Sequence, residues 1–154
     1  MLHVGESPRL DRPTKTYAPR ALLEQLGVRI VTTWLRDTWG LWLPDRRTVV
    51  IAENLNPVQE RCTLAHEVEH VLADDSGCGT STDTTQASRI RVERLADREA
   101  ARKLIGISDL ALVAKRGLDM RETAAELDVT ERLLAVRLDD LKGEAWPATL
   151  KIAG

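Results

Sequence analysis

The first half of the chain alternates between short apolar runs and turn-forming residues. Pro19 suits the first position of a helix, and the apolar residues after it end at Gly27, a residue type that stops helices. Three runs rich in β-branched and aromatic residues follow, VRIVTTWL, GLWL and TVVIAE, with the RDTWG and PDRR turns between them. Runs of this composition are typical of strands. The pattern predicts one helix followed by a small antiparallel sheet.

A long helix and a polar loop are predicted after the sheet. Asn56 and Pro57 form a good N-cap and first-turn pair, and the helix is expected to run to about Ala73. The next stretch, DDSGCGTSTDTTQAS at 74–88, is polar, contains glycine and lacks periodicity. It predicts a loop, which is long enough to be a lid or a specificity element and is equally compatible with disorder.

The remainder of the chain shows helical patterns that are separated by glycines. A second long helix is expected from about Arg89 to Ile105, closed by Gly106. Three shorter helices follow it: one capped by Ser108 that ends at Gly117, one that contains ETAAEL, and one capped by Thr130 that ends at Gly143.

Length and composition favour one folded core with a small appendage. A chain of 154 residues with 43% hydrophobic residues can bury a core of its own. We therefore predict an α+β protein. Its expected parts are a flexible N-terminal arm (1–17), a core (18–106), a helical subdomain (107–143) and a tail (144–154).

Charge and cysteine content narrow the partners and the compartment. Basic and acidic residues nearly cancel, 22 against 24, so the chain lacks the global electrostatic footprint of a nucleic-acid-binding protein. No segment approaches the roughly 18 apolar residues of a membrane span. Only Cys62 and Cys78 occur, without a C-x-x-C pair or a dense disulfide pattern. We expect a cytoplasmic protein with no membrane partner and no strong nucleic-acid binding.

The stretch TLAHEVEH contains two histidines four residues apart, His66 and His70, with Glu67 directly after the first. Residues four apart on a helix differ by about 40° around its axis, so both imidazoles can reach one ion. Glu67 lies about 100° from His66, where it can hold a water molecule without being a ligand. This is the H-E-x-x-H arrangement of zinc hydrolases. The alternative is that both histidines are ordinary half-buried helix residues.

The second long helix offers a third ligand, which a catalytic zinc site requires. In RVERLADREAARKL, Glu93 and Asp97 lie on one face, while Ala96 and Ala100 allow this helix to approach the histidine helix closely. Glu93 can complete a set of two histidines and one carboxylate. Asp97 can accept the remaining ring N–H of a histidine and so orient that ligand. The alternative is a solvent-facing pair of acids matched to neighbouring arginines.

Taken together, TLAHEVEH and the later ERLADREAARKL resemble the ImmA/IrrE metallopeptidase family, and the run VVIAENLNPVQERCTLAHE resembles that family's approach to its zinc motif. The resemblance implies a zincin-like metallopeptidase core with the long H-E-x-x-H helix, followed by a C-terminal helix-turn-helix-like part. It also implies Zn²⁺ bound by His66, His70 and Glu93, with Glu67 as general base. Two departures are Glu69, where the family usually has Gly, and Glu99, where it usually has an aromatic residue. Neither is a ligand position.

The resemblance implies a function as well. Family members are metallo-endopeptidases whose substrates are DNA-binding repressors, often those that keep a phage or mobile element silent. The expected partner is therefore a helix-turn-helix repressor, which the protein cleaves or otherwise inactivates. Zincins commonly hold substrate as an additional strand on a sheet edge, and TVVIAE is the candidate edge, unless it is an interior strand. Tyr17 and His3 are candidate oxyanion donors. Cys62 is expected in the core, and Cys78 is not expected to be a ligand.

Two rival functions remain open at this point. An antirepressor that binds its repressor without cutting it would show the same sequence. The segment ETAAELDVTERLLAVRLDDL also has the helix, short turn, helix pattern of a helix-turn-helix, which favours a DNA-binding regulator. However, the acidic and basic residues of the helix after Thr130 balance, which suits phosphate binding poorly. We expect this helical end to dock a protein partner, with Arg132 and Arg137 as the residues to test.

Overall fold

The computed structural model describes residues 17–77 and 85–143, and within them the chain has an α+β fold. One short helix precedes a three-stranded sheet, and five α-helices follow it in these residues. None of these helices is both long and apolar enough to cross a membrane. The elements are α1 (Pro19–Gln25), β1 (Arg29–Thr33), β2 (Gly40–Leu43), β3 (Thr48–Ala52), α2 (Pro57–Asp75), α3 (Gln86–Leu104), α4 (Ile107–Ala114), α5 (Met120–Leu127) and α6 (Glu131–Gly143).

Several predicted features lie outside the described residues. These are the N-terminal arm up to residue 16, the middle of the predicted loop (78–84) and the tail (144–154), and with them His3 and Cys78. At both ends of the loop the helices are longer than predicted. Helix α2 continues to Asp75, and α3 begins at Gln86 because the Thr85 side chain caps its first turn.

The sheet is mixed, so the prediction of an antiparallel sheet is wrong for one of its strands. Its order is β1-β3-β2, with β2 antiparallel and β1 parallel to β3. A tight turn at Pro44–Arg46 joins β2 and β3, whereas the segment 34–39 carries the chain from β1 past β3 to the far edge. The TVVIAE strand is therefore the interior strand, and β2 is an edge.

Helix α2 begins where the sequence predicts. The Asn56 side chain accepts a hydrogen bond from the Gln59 backbone N–H, and the Gln59 side chain accepts one from the Asn56 backbone N–H. This capping box satisfies two backbone donors that the first turn leaves without helical partners. Pro57 occupies the first turn, where no N–H is needed.

Helix α2 separates two apolar clusters and contributes to both. The first cluster packs α2 against the sheet and α1, and the second packs it against α3 to α6. Ala65 of α2 and Ala100 of α3 are fully buried in the second cluster, so small side chains allow these two helices to approach closely. The side chains of α2 on the sheet side are Leu64, Val68 and Val71.

The C-terminal helices pack on the core through α6 and α3. The Thr130 hydroxyl caps α6 by accepting a hydrogen bond from the Leu133 N–H, as predicted. The predicted cap of α4 is wrong, because the residue that precedes this helix is Gly106, and Ser108 lies inside its first turn. Leu133, Leu134 and Leu141 form the buried face of α6.

Arg137 lies on this buried face, so the prediction that it helps to dock a partner is wrong. Its side chain is 6% exposed, and it donates hydrogen bonds to the Ile105 carbonyl oxygen and to Asp140. Asp140 also accepts two hydrogen bonds from Arg102 of α3. Arg137 lies three and four residues from Leu134, Leu133 and Leu141, and helical spacing therefore turns it inward with them.

We predict that Asn56→Ala lowers the free energy of unfolding by about 1 kcal/mol, because it removes the acceptor of the capping box. Urea denaturation measures this change. Asn54→Ala is the matched control, since Asn54 precedes the cap and lies in the exposed turn after β3. We expect that control to change stability by less than about 0.5 kcal/mol. Equal losses in the two variants would contradict the assigned role of the capping box.

Candidate metal centre

The crossing of α2 and α3 brings His66, His70 and Glu93 together. Residues 66 and 70 lie on one face of α2, and Glu93 projects from α3 between them. His66 Nε2 lies 3.0 Å from His70 Nε2 and 3.0 Å from Glu93 Oε2, and His70 Nε2 lies 3.1 Å from Glu93 Oε1. Three potential ligand atoms from two helices therefore converge on one point.

The dimensions of this cluster fit a small tetrahedral cation. Tetrahedral bonds of about 2.0 Å place neighbouring ligand atoms about 3.3 Å apart. The two histidine nitrogens are 3.0 Å apart, and each lies 3.0 to 3.1 Å from a different oxygen of the Glu93 carboxylate, which is close to that edge length. Two imidazole nitrogens and a carboxylate are also the ligand types that Zn²⁺ prefers. The residues present are therefore compatible with a divalent ion.

Asp97 fixes the orientation of the first histidine. Its Oδ1 atom lies 2.9 Å from His66 Nδ1, and Asp97 itself is buried. When the ring is neutral, a carboxylate that accepts a hydrogen bond from the N–H at Nδ1 leaves the lone pair on His66 Nε2. This nitrogen points towards His70 and Glu93. Asp97 thus lies behind a potential ligand and selects the tautomer that can bind a metal.

The electrostatics of the cluster favour a positive charge. Burial opposes protonation of His66, but the hydrogen bonds to Asp97 and Glu93 outweigh it and raise the pKa of His66 to about 10. The hydrogen bonds from His66 and His70 hold the pKa of Glu93 well below its usual range. A site that attracts a proton in this way also attracts a metal cation, since either supplies the charge that the carboxylates require.

Glu67 lies next to His66 on α2, against Gly40 of the edge strand β2. It is only 4% exposed, and this burial raises the pKa of its carboxyl group, although a backbone hydrogen bond from Trp42 acts in the opposite direction. The carboxylate and both histidines border the same cleft. Glu67 is therefore held beside the candidate metal position without belonging to the cluster of three ligands.

Gly40 of β2 provides the room that Glu67 occupies. A Cβ atom built on Gly40 would lie 2.5 Å from Glu67 Oε1 and 2.6 Å from Thr63 Cγ2. Such distances are far below van der Waals contact, so any side chain at position 40 would displace the glutamate or the strand. Gly40 was not among the residues predicted from the sequence, because the strand pattern does not show which residue of α2 lies opposite it.

The cleft in front of the cluster has a volume of about 760 Å³. Its walls come from three parts of the fold. These are the segment Asp37–Trp42, which includes most of β2, the facing sides of α2 and α3, and the start of α6. Thr130, Arg132 and Leu133 supply the α6 wall. Arg132 was predicted to lie on a separate docking surface, whereas the structure places it beside Asp97.

The other candidate residues lie away from the cluster or outside the described residues. Tyr17 does not border the cleft but packs against the helical cluster, where burial raises the pKa of its hydroxyl group. This position gives no support to its predicted role as an oxyanion donor. Cys62 is buried in the same apolar cluster, as predicted. His3 and Cys78 lie outside the described residues.

Comparisons with known proteins identify the family of this chain. The model of the Peptidase_M78 family, described as the IrrE N-terminal-like domain, matches residues 23–139. No curated protein matches the chain significantly. A Mycobacterium tuberculosis transcriptional regulator of known structure is similar over 86% of this chain, with a TM-score of 0.65 and 19% sequence identity. The chain spans only 42% of that protein, and at this identity the likeness is one of fold.

We predict that Gly40→Ala lowers the free energy of unfolding by about 1 to 3 kcal/mol, because the added methyl group overpacks the contact with Glu67 and Thr63. Urea denaturation measures the loss. Gly143→Ala is the control, since a Cβ atom there meets nothing within 4 Å, and a change below about 0.5 kcal/mol is expected. A Gly40→Ala variant as stable as this control would show that the strand does not press against the glutamate.

Proposed function

Because the chain belongs to the Peptidase_M78 family, we propose that it is a zinc-dependent metallo-endopeptidase of the gluzincin type. One observation carries the proposal: His66, His70 and Glu93 converge on a point in the same cleft that Glu67 borders. Ligand groups, a carboxylate for proton transfer and space for a polypeptide are thus found together. We further propose that the substrate is a DNA-binding repressor.

His66, His70 and Glu93 would hold the ion, and Asp97 would keep His66 in the ligating tautomer. When bound, zinc supplies a Lewis acid that polarises a peptide carbonyl group and makes a nearby water molecule more acidic. Two imidazoles and one carboxylate leave a position open for that chemistry, which is typical of catalytic rather than structural zinc sites.

Glu67 would act as the general base. It follows His66 directly, so the helix presents it to the same cleft, and Gly40 and the Trp42 backbone restrict its position. In this role it takes a proton from the attacking water and returns it to the nitrogen of the leaving amine. Its exclusion from the cluster of three ligands leaves its carboxylate available for proton transfer.

The substrate would bind as an extended strand along β2. This strand is the sheet edge that borders the cleft, whereas β3, which the sequence left open as either an edge or an interior strand, lies between its neighbours. Along an antiparallel strand, the backbone groups of successive residues point alternately towards the partner strand and away from it. The Ala52 N–H donates a hydrogen bond to the Trp39 carbonyl oxygen, so the backbone groups of Gly40 and Trp42 point away from β3. Outward-facing backbone groups are what an added strand requires. Within the chain, the Thr38 hydroxyl bonds both backbone groups of Gly40, and Glu67 accepts a hydrogen bond from the Trp42 backbone. An added strand would therefore replace these bonds with its own.

A direct DNA-binding function is less compatible with α6. A recognition helix needs an exposed basic face, but Arg137 is buried and Arg132 pairs with Asp97. The charged side chains that remain exposed on α6 are Glu131, Asp139 and Lys142, and the last two pair with each other. This face is not basic, so it offers little to the phosphates of a duplex. We therefore favour a protein substrate over a nucleic acid.

We predict one zinc ion per chain, bound through the three convergent residues. Elemental analysis of protein purified without added zinc measures the stoichiometry, and His70→Ala and Glu93→Gln should each reduce it strongly. Glu99→Gln is the matched control, since Glu99 lies on the same helix and pairs with Arg102 instead. Zinc content that is unchanged by either ligand substitution would rule out this set of ligands.

We predict that Glu67→Gln retains fold and zinc but loses peptide hydrolysis, with a decrease of at least about 100-fold. A proteome-derived peptide library incubated with the zinc-loaded protein tests the chemistry even while the natural substrate is unidentified. Mass spectrometry should find new peptide N-termini with the wild type. It should find none with Glu67→Gln, and none with the wild type after chelation of the zinc. A zinc-loaded wild type that produces none would contradict the general peptidase activity.

A helix-turn-helix repressor from the same genome is the second substrate to test. Fragments that appear with the wild type and not with Glu67→Gln would support cleavage of a repressor. If Glu67→Gln inactivates that repressor as well as the wild type does, inactivation proceeds by binding. The proposed role of proteolysis in repressor inactivation would then be wrong.

A further inference from the structure

We propose that Arg132 of α6 is a positioning residue of the metal centre, which acts on His66 through Asp97. The inference rests on the proposed metal site and extends it, because it makes the C-terminal helices part of that site. The observation behind it is a continuous chain of contacts from α6 through α3 to α2. The three side chains that make these contacts are Arg132, Asp97 and His66.

The contacts use both oxygens of one carboxylate. Asp97 Oδ1 accepts from His66 Nδ1 at 2.9 Å and from Arg132 Nη1 at 3.2 Å, while Oδ2 accepts from Arg132 Nη2 at 2.5 Å. The guanidinium group therefore binds the carboxylate through two parallel N–H groups. A bidentate pair of this kind fixes the plane of the carboxylate as well as its position.

The orientation of Asp97 determines that of the His66 ring. With the carboxylate held in one plane, the Nδ1–H bond has one direction in which it can donate well, and Nε2 is then aimed at His70 and Glu93. Without Arg132, Asp97 could rotate about its terminal torsion, which has a broad energy minimum. The His66 ring could then rotate with the carboxylate. Metal binding would have to supply the free energy that orders this ligand.

The location of Arg132 indicates that its role is not to stabilise the fold. Its side chain is 70% exposed, in contrast to the 6% of Arg137 on the same helix. Thr130 caps the helix two residues earlier, which fixes the point from which Arg132 reaches Asp97. The side chain also borders the cleft. Replacing an exposed residue of this kind should leave α6 folded, so its effect on the metal can be measured separately.

The test compares Arg132→Gln and Arg132→Lys with the matched control Arg116→Gln. Arg116 is an exposed arginine of the same C-terminal region that pairs with Glu126, away from the cleft. The zinc dissociation constant of the full chain is measured by competition with a chelator of known affinity. Thermal unfolding of the metal-free variants checks that each is folded.

We expect Arg132→Gln to weaken zinc binding by roughly tenfold, the lower part of the range for groups that orient a metal ligand. Arg132→Lys should restore part of this loss, because lysine retains the charge but lacks the planar fork. Arg116→Gln should bind zinc as the wild type does. With Co²⁺ in place of zinc, Arg132→Gln should shift the visible absorption bands, which report ligand geometry, and Arg116→Gln should not.

A double-substitution cycle tests the route through Asp97. If Arg132 acts only through this carboxylate, Arg132→Gln should cause no further loss of zinc affinity in an Asp97→Asn background. Additive losses would overturn the proposed route. Zinc affinity equal to the wild type in Arg132→Gln, with a higher KM for peptide, would make Arg132 a substrate-binding residue instead. Failure of the wild type to bind zinc would refute the proposed function itself.

Discussion

The close crossing of α2 and α3 is the constraint on which the rest of the site depends. Ala65 and Ala100 are fully buried where these helices meet, and larger side chains there would separate the helices. The histidine nitrogens lie 3.0 Å from each other and 3.0 to 3.1 Å from the two Glu93 carboxylate oxygens, so moving the helices apart by even one or two ångströms would break these contacts. The packing of two small apolar residues therefore determines whether a metal-binding group of polar residues exists.

The site also depends on the balance of charge around the histidines. Glu93 and Asp97 surround His66 with negative charge, and Arg132 neutralises part of it from the opposite side. Asp97 is buried, and a buried carboxylate is costly unless cations and hydrogen-bond donors satisfy it. A divalent ion would complete this balance. The polar residues thus act as one unit, in which each side chain limits the orientation of the next.

The C-terminal helices have a different relation to the site from the one their sequence suggests. Their sequence pattern of helix, short turn and helix is typical of a DNA-binding module, but the apolar face of α6 packs on α3. This packing buries Arg137 and directs Arg132 towards Asp97. Of the two basic residues that the sequence pattern assigns to an outer surface, Arg137 is therefore buried, and Arg132 is exposed but paired with Asp97.

The sequence alone determined the helices and strands, the histidine pair on α2 and the candidacy of Glu93 and Asp97. Helical spacing and capping act over a few residues, so they can be read directly from the chain. Only the tertiary structure decided that β1 is parallel to β3, that β2 is the edge beside the cleft, and that Gly40 and Arg132 adjoin the site. These contacts join residues far apart in sequence, and they follow from how apolar faces pack rather than from any local pattern.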